Sequence, residues 1–204
     1  METKLPKRKH PRLSEYDYSS AGAYFITICT HNRKCVLSRI VGRMAVPAAE
    51  KTVGRMAAPA AEKTVGRGLA PAAKKDVGRI AAPAEEYDVE YTEFGKIAEQ
   101  QLLKLEERYP FLKVGQYVIM PNHIHAILVM ESEAAGASPR PTVMDVVCAY
   151  KSLTTRACRQ NGFADKLFQT SFYEHVIRNQ QDYNEIAEYI CQNPMRWQSD
   201  DLFV

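Results

Sequence analysis

No run of apolar residues in this chain approaches the roughly 18–20 that a membrane-spanning helix needs. No secretory leader is expected either, because the first residues are basic and polar, with no apolar centre. The five cysteines are odd in number and none forms a Cys-x-x-Cys pair. That argues against a disulfide frame or a cysteine-rich zinc site and for reduced thiols. Together these absences make the cytoplasm the expected compartment, with no membrane partner. No glycine-rich nucleotide-phosphate motif appears. Net charge is only +3, so the overall balance says little about partners. Its placement says more: Lys4, Lys7, Arg8, Lys9, His10 and Arg12 crowd the N-terminal stretch. Such an arm either contacts phosphates or stays solvated.

What is present fits one globular domain over residues 1–204. The chain is 46% hydrophobic and 25% charged, enough for a real core. One feature interrupts it. A 12-residue unit beginning Val41-Gly42-Arg43 recurs in four copies over 41–88. Each copy is rich in Ala, with Gly and Pro, and no aromatic residue occurs before Tyr87. Such a unit buries too little apolar area to offset its ordering entropy. It is expected to be a flexible insertion or an extended spacer, and near-identical copies give no support to a catalytic role. A smaller linker of similar composition is expected at 131–141.

With both inserts set aside, the remaining segments form a regular series. Ala23–Thr30 is β-branched and aromatic, a strand. Phe94–Tyr109 has helical spacing at Ile97, Leu102, Leu105 and Tyr109, and Pro110 stops it. Lys113–Met120 and His123–Met130 read as two strands joined tightly at Pro121-Asn122. Thr142–Gln160 is a helix with Val143, Val147, Tyr150, Leu153 and Ala157 on or near one face. Leu167–Ile177 contains the last strand, and Asp182–Asn193 is a helix ended by Pro194. The order β-α-β-β-α-β predicts an α+β fold of the ferredoxin-like, split-βαβ type. Its antiparallel sheet carries helices on one face, plus the extra C-terminal helix.

The strand predicted over His123–Met130 carries two histidines. A strand points i and i+2 to the same face, so His123 and His125 stand side by side while Ile124 goes to the other. Paired imidazoles on a rigid sheet are a natural start for a divalent-metal site. They equally suit a polar face or a satisfied buried pair. In the C-terminal helix, Tyr189 and Asn193 are spaced i, i+4 and share a face. Asn193 could give an amide oxygen as a third ligand, and Tyr189 a phenolic nucleophile. An Asn before Pro is more commonly a cap, and a helical Tyr more commonly packing.

The combination is more specific than its parts. MPNHIHAILVM, a following helix with YKS, then LFQTSFYEHVIRNQQDYNEIAEYICQNPMRW, resembles the REP-associated tyrosine transposases. These are relatives of the single-tyrosine HUH transposases of insertion sequences. The opening LPKRKHPRLSEYDYSSAGAYFITICTHNRKCVLS is similar as well. The resemblance spans roughly residues 4–40 and 87–199 apart from the linker. It implies a DNA single-strand endonuclease and strand transferase acting on hairpin single-stranded DNA. Tyr189 would be the nucleophile that becomes joined to a 5′ phosphate. His123, His125 and Asn193 would hold Mg²⁺ or Mn²⁺. Glu174 and His175 fall in the matching FYEHVIR stretch and are carried as neighbours of the site. Lys7, Arg8, Lys9 and Arg12 would bind backbone phosphates. Nearby, Tyr16 and Tyr18 could stack on bases, but a core role suits them better.

The sequence departs from the family in three places. Repeats stand where members have a short loop. Phe168 stands near a position that is often Trp. The chain stops soon after Trp197, so a longer DNA-reading tail is expected to be missing. The resemblance allows a monomer or a homodimer that shares its C-terminal helices. Alternatives remain open at this level: an inactive or domesticated DNA binder, an RNA-recognition-type module, or a phosphoesterase using metal-activated water.

Overall fold

The computed structural model describes residues 16–42, 87–132 and 141–203. Lys7, Arg8, Lys9 and Arg12 lie outside the described residues, as does nearly all of the predicted insertion and linker. Strand β1 (Gly22–Cys29) is central in a four-stranded antiparallel sheet with β4 (Leu112–Ile119), β5 (His123–Met130) and β6 (Tyr173–Ile177), in the order β4-β5-β1-β6. This is the order expected of a split-βαβ fold.

Alternation along β1 sorts its side chains. Tyr24, Ile26 and Ile28 join one apolar cluster, and Phe25 joins another on the opposite face. The first cluster lies under α1 (Glu93–Arg108) and α2 (Val143–Gln160), which pack on each other. Helix α1 starts where Thr92 caps the Gly95 N–H, and it buries Ala98, Leu102 and Leu105 at helical spacing. Helix α2 starts in a capping box between Thr142 and Asp145. Its buried stripe runs through Val147, Tyr150, Thr154 and Cys158. Leu153 and Ala157 are only half-buried, because the 3.6-residue period carries the stripe one position along. Tyr150 Oη donates to the Ala98 carbonyl at 3.1 Å, tying the two helices. Tyr16 and Tyr18 pack edge-to-face at 5.0 Å against this cluster, in core positions.

A two-stranded ribbon, β2 (Ser38–Gly42) with β3 (Tyr87–Tyr91), is absent from the sequence reading. Val41 pairs with Asp88 and Gly42 with Tyr87. The outermost residues of the predicted 41–88 insertion are therefore strand residues, drawn into the ladder by their register partners. The ribbon brings the ends of segment 43–86 together, so extra length between them costs little beyond loop closure.

Gly95 lets the first turn of α1 sit on this ribbon's entry. A Cβ there would lie 1.9 Å from the Leu37 carbonyl oxygen. That oxygen also accepts the Thr92 N–H at 2.9 Å, so it cannot move away freely. Gly→Ala inside a helix ordinarily stabilises by roughly 0.5–1 kcal/mol. Here Gly95→Ala should instead destabilise by about 3 kcal/mol or more, read as a lower urea midpoint; a raised midpoint would contradict the packing.

Helix α3 (Gln180–Gln192) covers the other face of the sheet, contacting β4 and β5. The Asn179 side chain caps its start by accepting the Asp182 N–H at 2.8 Å. Ala187 and Ile190 pack with Val118, Met120, Phe25 and Ile127. Gly115 leaves room beneath it, since a Cβ there would meet Tyr183 Oη at 2.9 Å. A 3-10 segment, Asn193–Ser199, follows directly, contacts α3 and β3, and sets Trp197 beside His123. Among the described residues, no helix is long and apolar enough to cross a membrane.

Candidate active site

His123 and His125 project from β5 onto the α3 face, and Ile124 joins the opposite cluster. Both histidines are buried, at 0% and 3% exposure. Each ring is oriented through Nδ1. Asn122 Nδ2 donates to the Leu202 carbonyl at 2.7 Å, so Oδ1 is the end turned to His123 Nδ1, at 2.8 Å. An amide oxygen only accepts, so His123 Nδ1 carries the proton and Nε2 keeps its lone pair. That Nε2 is buried without a hydrogen-bond partner. Thr27 lies opposite His125 across the ladder, with Oγ1 2.9 Å from Nδ1. Side-chain partners of this kind fix metal-ligating imidazoles.

Tyr189 and Asn193 face the same place from α3 and its end. Tyr189 Oη lies 3.4 Å from His125 Nε2, and its ring meets Phe25 edge-on. Asn193 is 1% exposed. Its Nδ2 donates to Asp200 Oδ2 at 3.1 Å, and its Oδ1 is buried with no partner. The helix stays α-helical through Asn193 (φ −56°, ψ −41°), so the i, i+4 relation to Tyr189 holds although Pro194 follows.

Two unpartnered buried atoms, His123 Nε2 and Asn193 Oδ1, next to two oriented imidazoles, fit a divalent cation well. Asp200 adds a carboxylate: its oxygen and the ring nitrogens of His123 and His125 lie within 4.8 Å of one another. Imidazole and oxygen donors together suit Mn²⁺ better than Mg²⁺, which favours oxygen alone.

Burial sets the protonation of these groups. It lowers His123 to about 4, against the opposing pull of Asp200 and Asn193. It also holds His125 well below the usual histidine range, helped by its neighbour His123. Both rings are thus neutral at neutral pH, the form in which an imidazole can ligate a metal. Burial, then the Asp200 charge, raises the Tyr189 phenol, so it is protonated at neutral pH. In the unfolded chain the imidazoles take protons near pH 6.5, and in the folded chain they do not. Stability should therefore fall as pH drops from about 6.5 toward 4. Metal binding to the folded protein should be as tight at about pH 5.5 as at about pH 7.5. Calorimetric titration with Mn²⁺ checks this, and a tenfold or greater loss, as free imidazoles of pKa about 6.5 would give, would contradict it.

Other predicted neighbours go elsewhere. Glu174 pairs with Ile26 in the ladder and so faces α1 and α2, where it accepts from Tyr18 Oη at 3.3 Å. His175 is on the α3 side, but its Nε2 meets Asp182 at 3.2 Å, in the first turn of α3. Neither lines the cleft. Sequence reading also missed residues that are here. Asn122 read only as a turn residue, and Thr27 only as a strand residue. Asp200 had one cue, the acidic pair Asp200-Asp201 just beyond Asn193-Pro194. Arg33 and Arg196 line a cleft of about 1020 Å³ beside Tyr189, together with Phe172 and Tyr173. Asn32 and Arg33 both have left-handed backbone (φ 54° and 53°), a strained turn of the kind found at functional sites.

Comparison with known proteins bears on the fold and on the chain's relatives. No protein-family model matches the chain. A solved structure of a REP-associated tyrosine transposase bound to a REP hairpin aligns with a TM-score of 0.50 and 19% identity. It covers 90% of this chain and 74% of the other. A REP-associated tyrosine transposase of Escherichia coli is 28% identical over 101 residues, 50% of this chain and 54% of that protein. In fold and in sequence the chain is similar to the REP-associated tyrosine transposases. An uncharacterised protein of Haemophilus influenzae is 24% identical over 212 residues, covering 97% of this chain and 93% of its own length.

Proposed function

We propose that the chain is a metal-dependent transposase-type nuclease that cuts and rejoins single-stranded DNA beside a hairpin. The observation that carries this reading is the meeting of Tyr189 Oη with His125 at 3.4 Å, above a buried pair of unpartnered ligand atoms. A divalent ion held by His123, His125 and Asn193, with Asp200 beside them, would supply Lewis-acid polarisation of the phosphate and the positive charge that lowers the Tyr189 pKa.

The chain's own groups do the rest. Tyr189 Oη attacks the phosphorus, and the bond to the 3′ oxygen breaks. The phenol's proton ends on that oxygen as a free 3′ hydroxyl, and the 5′ phosphate remains esterified to Tyr189. Attack by a different 3′ hydroxyl reverses the step and transfers the strand. Bond energy is conserved in the ester, so no nucleotide hydrolysis is required. Arg33 and Arg196 are placed to neutralise phosphate charge along the cleft, and Phe172 and Tyr173 to stack on unpaired bases.

The direct test is incubation of the full chain with labelled hairpin DNA from the flanks of its own gene, with Mn²⁺, followed by a denaturing gel. Label that migrates with the protein supports the tyrosine mechanism. Cleavage without attached label would instead point to activated water, and binding without cleavage to a DNA binder on the same fold.

A further inference from the structure

A second groove, of about 730 Å³, lies outside the cleft, between α2 and the loop from Lys166 to Thr170. Its lining carries four cations, Lys151, Arg156, Arg159 and Lys166, with Ser152 and Thr155, and no carboxylate. The α2 members recur at helical spacing and so share one face. Among the described residues none of the four cations is in an ion pair. The nearest acid in sequence, Asp165, is turned to Lys34.

The groove has a fixed wall and free charges. Lys151 Nζ holds the wall by donating to the Gln169 and Thr170 carbonyls at 2.7 and 2.8 Å. The same loop is tied to the end of β1 by Gln169 N–H to the Cys29 carbonyl at 3.0 Å. Arg156 and Arg159 are exposed and have no such duty. Gln169 lines both the groove and the cleft, so the two adjoin at that residue.

The linings differ in a way that separates their ligands. Tyr173 and Tyr189 in the cleft are 38% and 39% exposed, whereas Phe168 in the groove is buried at 4%. Single strands are held by cations together with stacking aromatics. A duplex, with its bases already stacked, is held through its phosphates. We propose that this groove seats the phosphate backbone of the hairpin's duplex DNA stem, whose unpaired continuation passes Gln169 into the cleft. The assignment rests on the reading of the cleft as a DNA-cleaving site.

The test uses the full chain carrying Tyr189→Phe, so that binding is measured without chemistry. Three probes are compared by fluorescence anisotropy over a salt series: a DNA hairpin with a single-stranded extension, the extension alone, and an RNA hairpin of the same sequence. Arg156→Gln/Arg159→Gln should weaken DNA-hairpin binding by at least about tenfold, as expected for lost charge-assisted hydrogen bonds. The slope of log affinity against log salt should shrink by about 2, near 0.9 per phosphate released. Binding of the extension alone should stay essentially unchanged. Unchanged hairpin affinity and slope would overturn the proposal, as would an equal loss for the extension, or an RNA hairpin that binds as tightly and loses as much. A matching melting temperature shows that the variant is folded. In the Tyr189-containing background the double variant should still form adduct on the extension. Absence of adduct in the parent chain would instead count against the cleavage reading, leaving the groove result separate.

Discussion

Tyr189→Phe is expected to lower the covalent protein–DNA adduct by about 10³-fold or more, to the limit of detection. The ring contacts with Phe25 and His125 do not need the hydroxyl, so the helix should dock as before. What disappears is one oxygen, which makes a long contact of 3.4 Å with His125. Loss of one such bond is worth about 1 kcal/mol, so hairpin affinity should change by no more than about fivefold. A denaturing gel and an anisotropy titration on the same preparation separate the two effects. Adduct persisting in Tyr189→Phe would remove this residue as the nucleophile. Loss of binding and adduct together would make its role structural.

His123→Ala is expected to remove cleavage and Mn²⁺ affinity together. The imidazole offers an oriented Nε2 that no other described side chain replaces, so the affinity loss should exceed about 100-fold. The substitution also empties a fully buried position beside Trp197 and leaves Asn122 Oδ1 unpaired, which costs stability. Thr27→Val provides the gentler companion. It keeps the shape and removes only the oxygen facing His125 Nδ1, and should weaken metal binding by about 10- to 100-fold. Cleavage should follow occupancy, recovering at high Mn²⁺ in Thr27→Val and not in His123→Ala. Unchanged cleavage by His123→Ala across a metal titration would contradict the assignment.

The parts of the fold set by local pattern were legible from residues alone. The β-branched and aromatic run AYFITICT marked β1, and helical spacing with Pro110 beyond marked α1. The β2–β3 ribbon was not legible, because SRIVG and YDVEY are short and meet only across the repeat insertion. Pairing at that distance leaves no periodic signal in either strand. The same division holds in the site. The facing of His123 with His125 follows from strand geometry, and that of Tyr189 with Asn193 from helix geometry. Their meeting depends on α3 packing through Ala187 and Ile190 onto Met120 and Ile127, a tertiary contact. Asp200 arrives only because the 3-10 segment folds back, and Asn122 orients His123 only because Leu202 fixes its amide. Glu174 went the other way for a simple reason: strand alternation turns it from the face that holds the histidines.

The central claim is that the phenol of Tyr189 becomes the carrier of the cut DNA end. The most direct measurement is peptide mapping of the adduct after nuclease trimming. Trypsin should release the segment 179–196, which contains Tyr183 and Tyr189. Fragmentation should place the phosphonucleotide mass on Tyr189. The same mass on Tyr183, on any other residue, or on none after cleavage has occurred, would contradict the account.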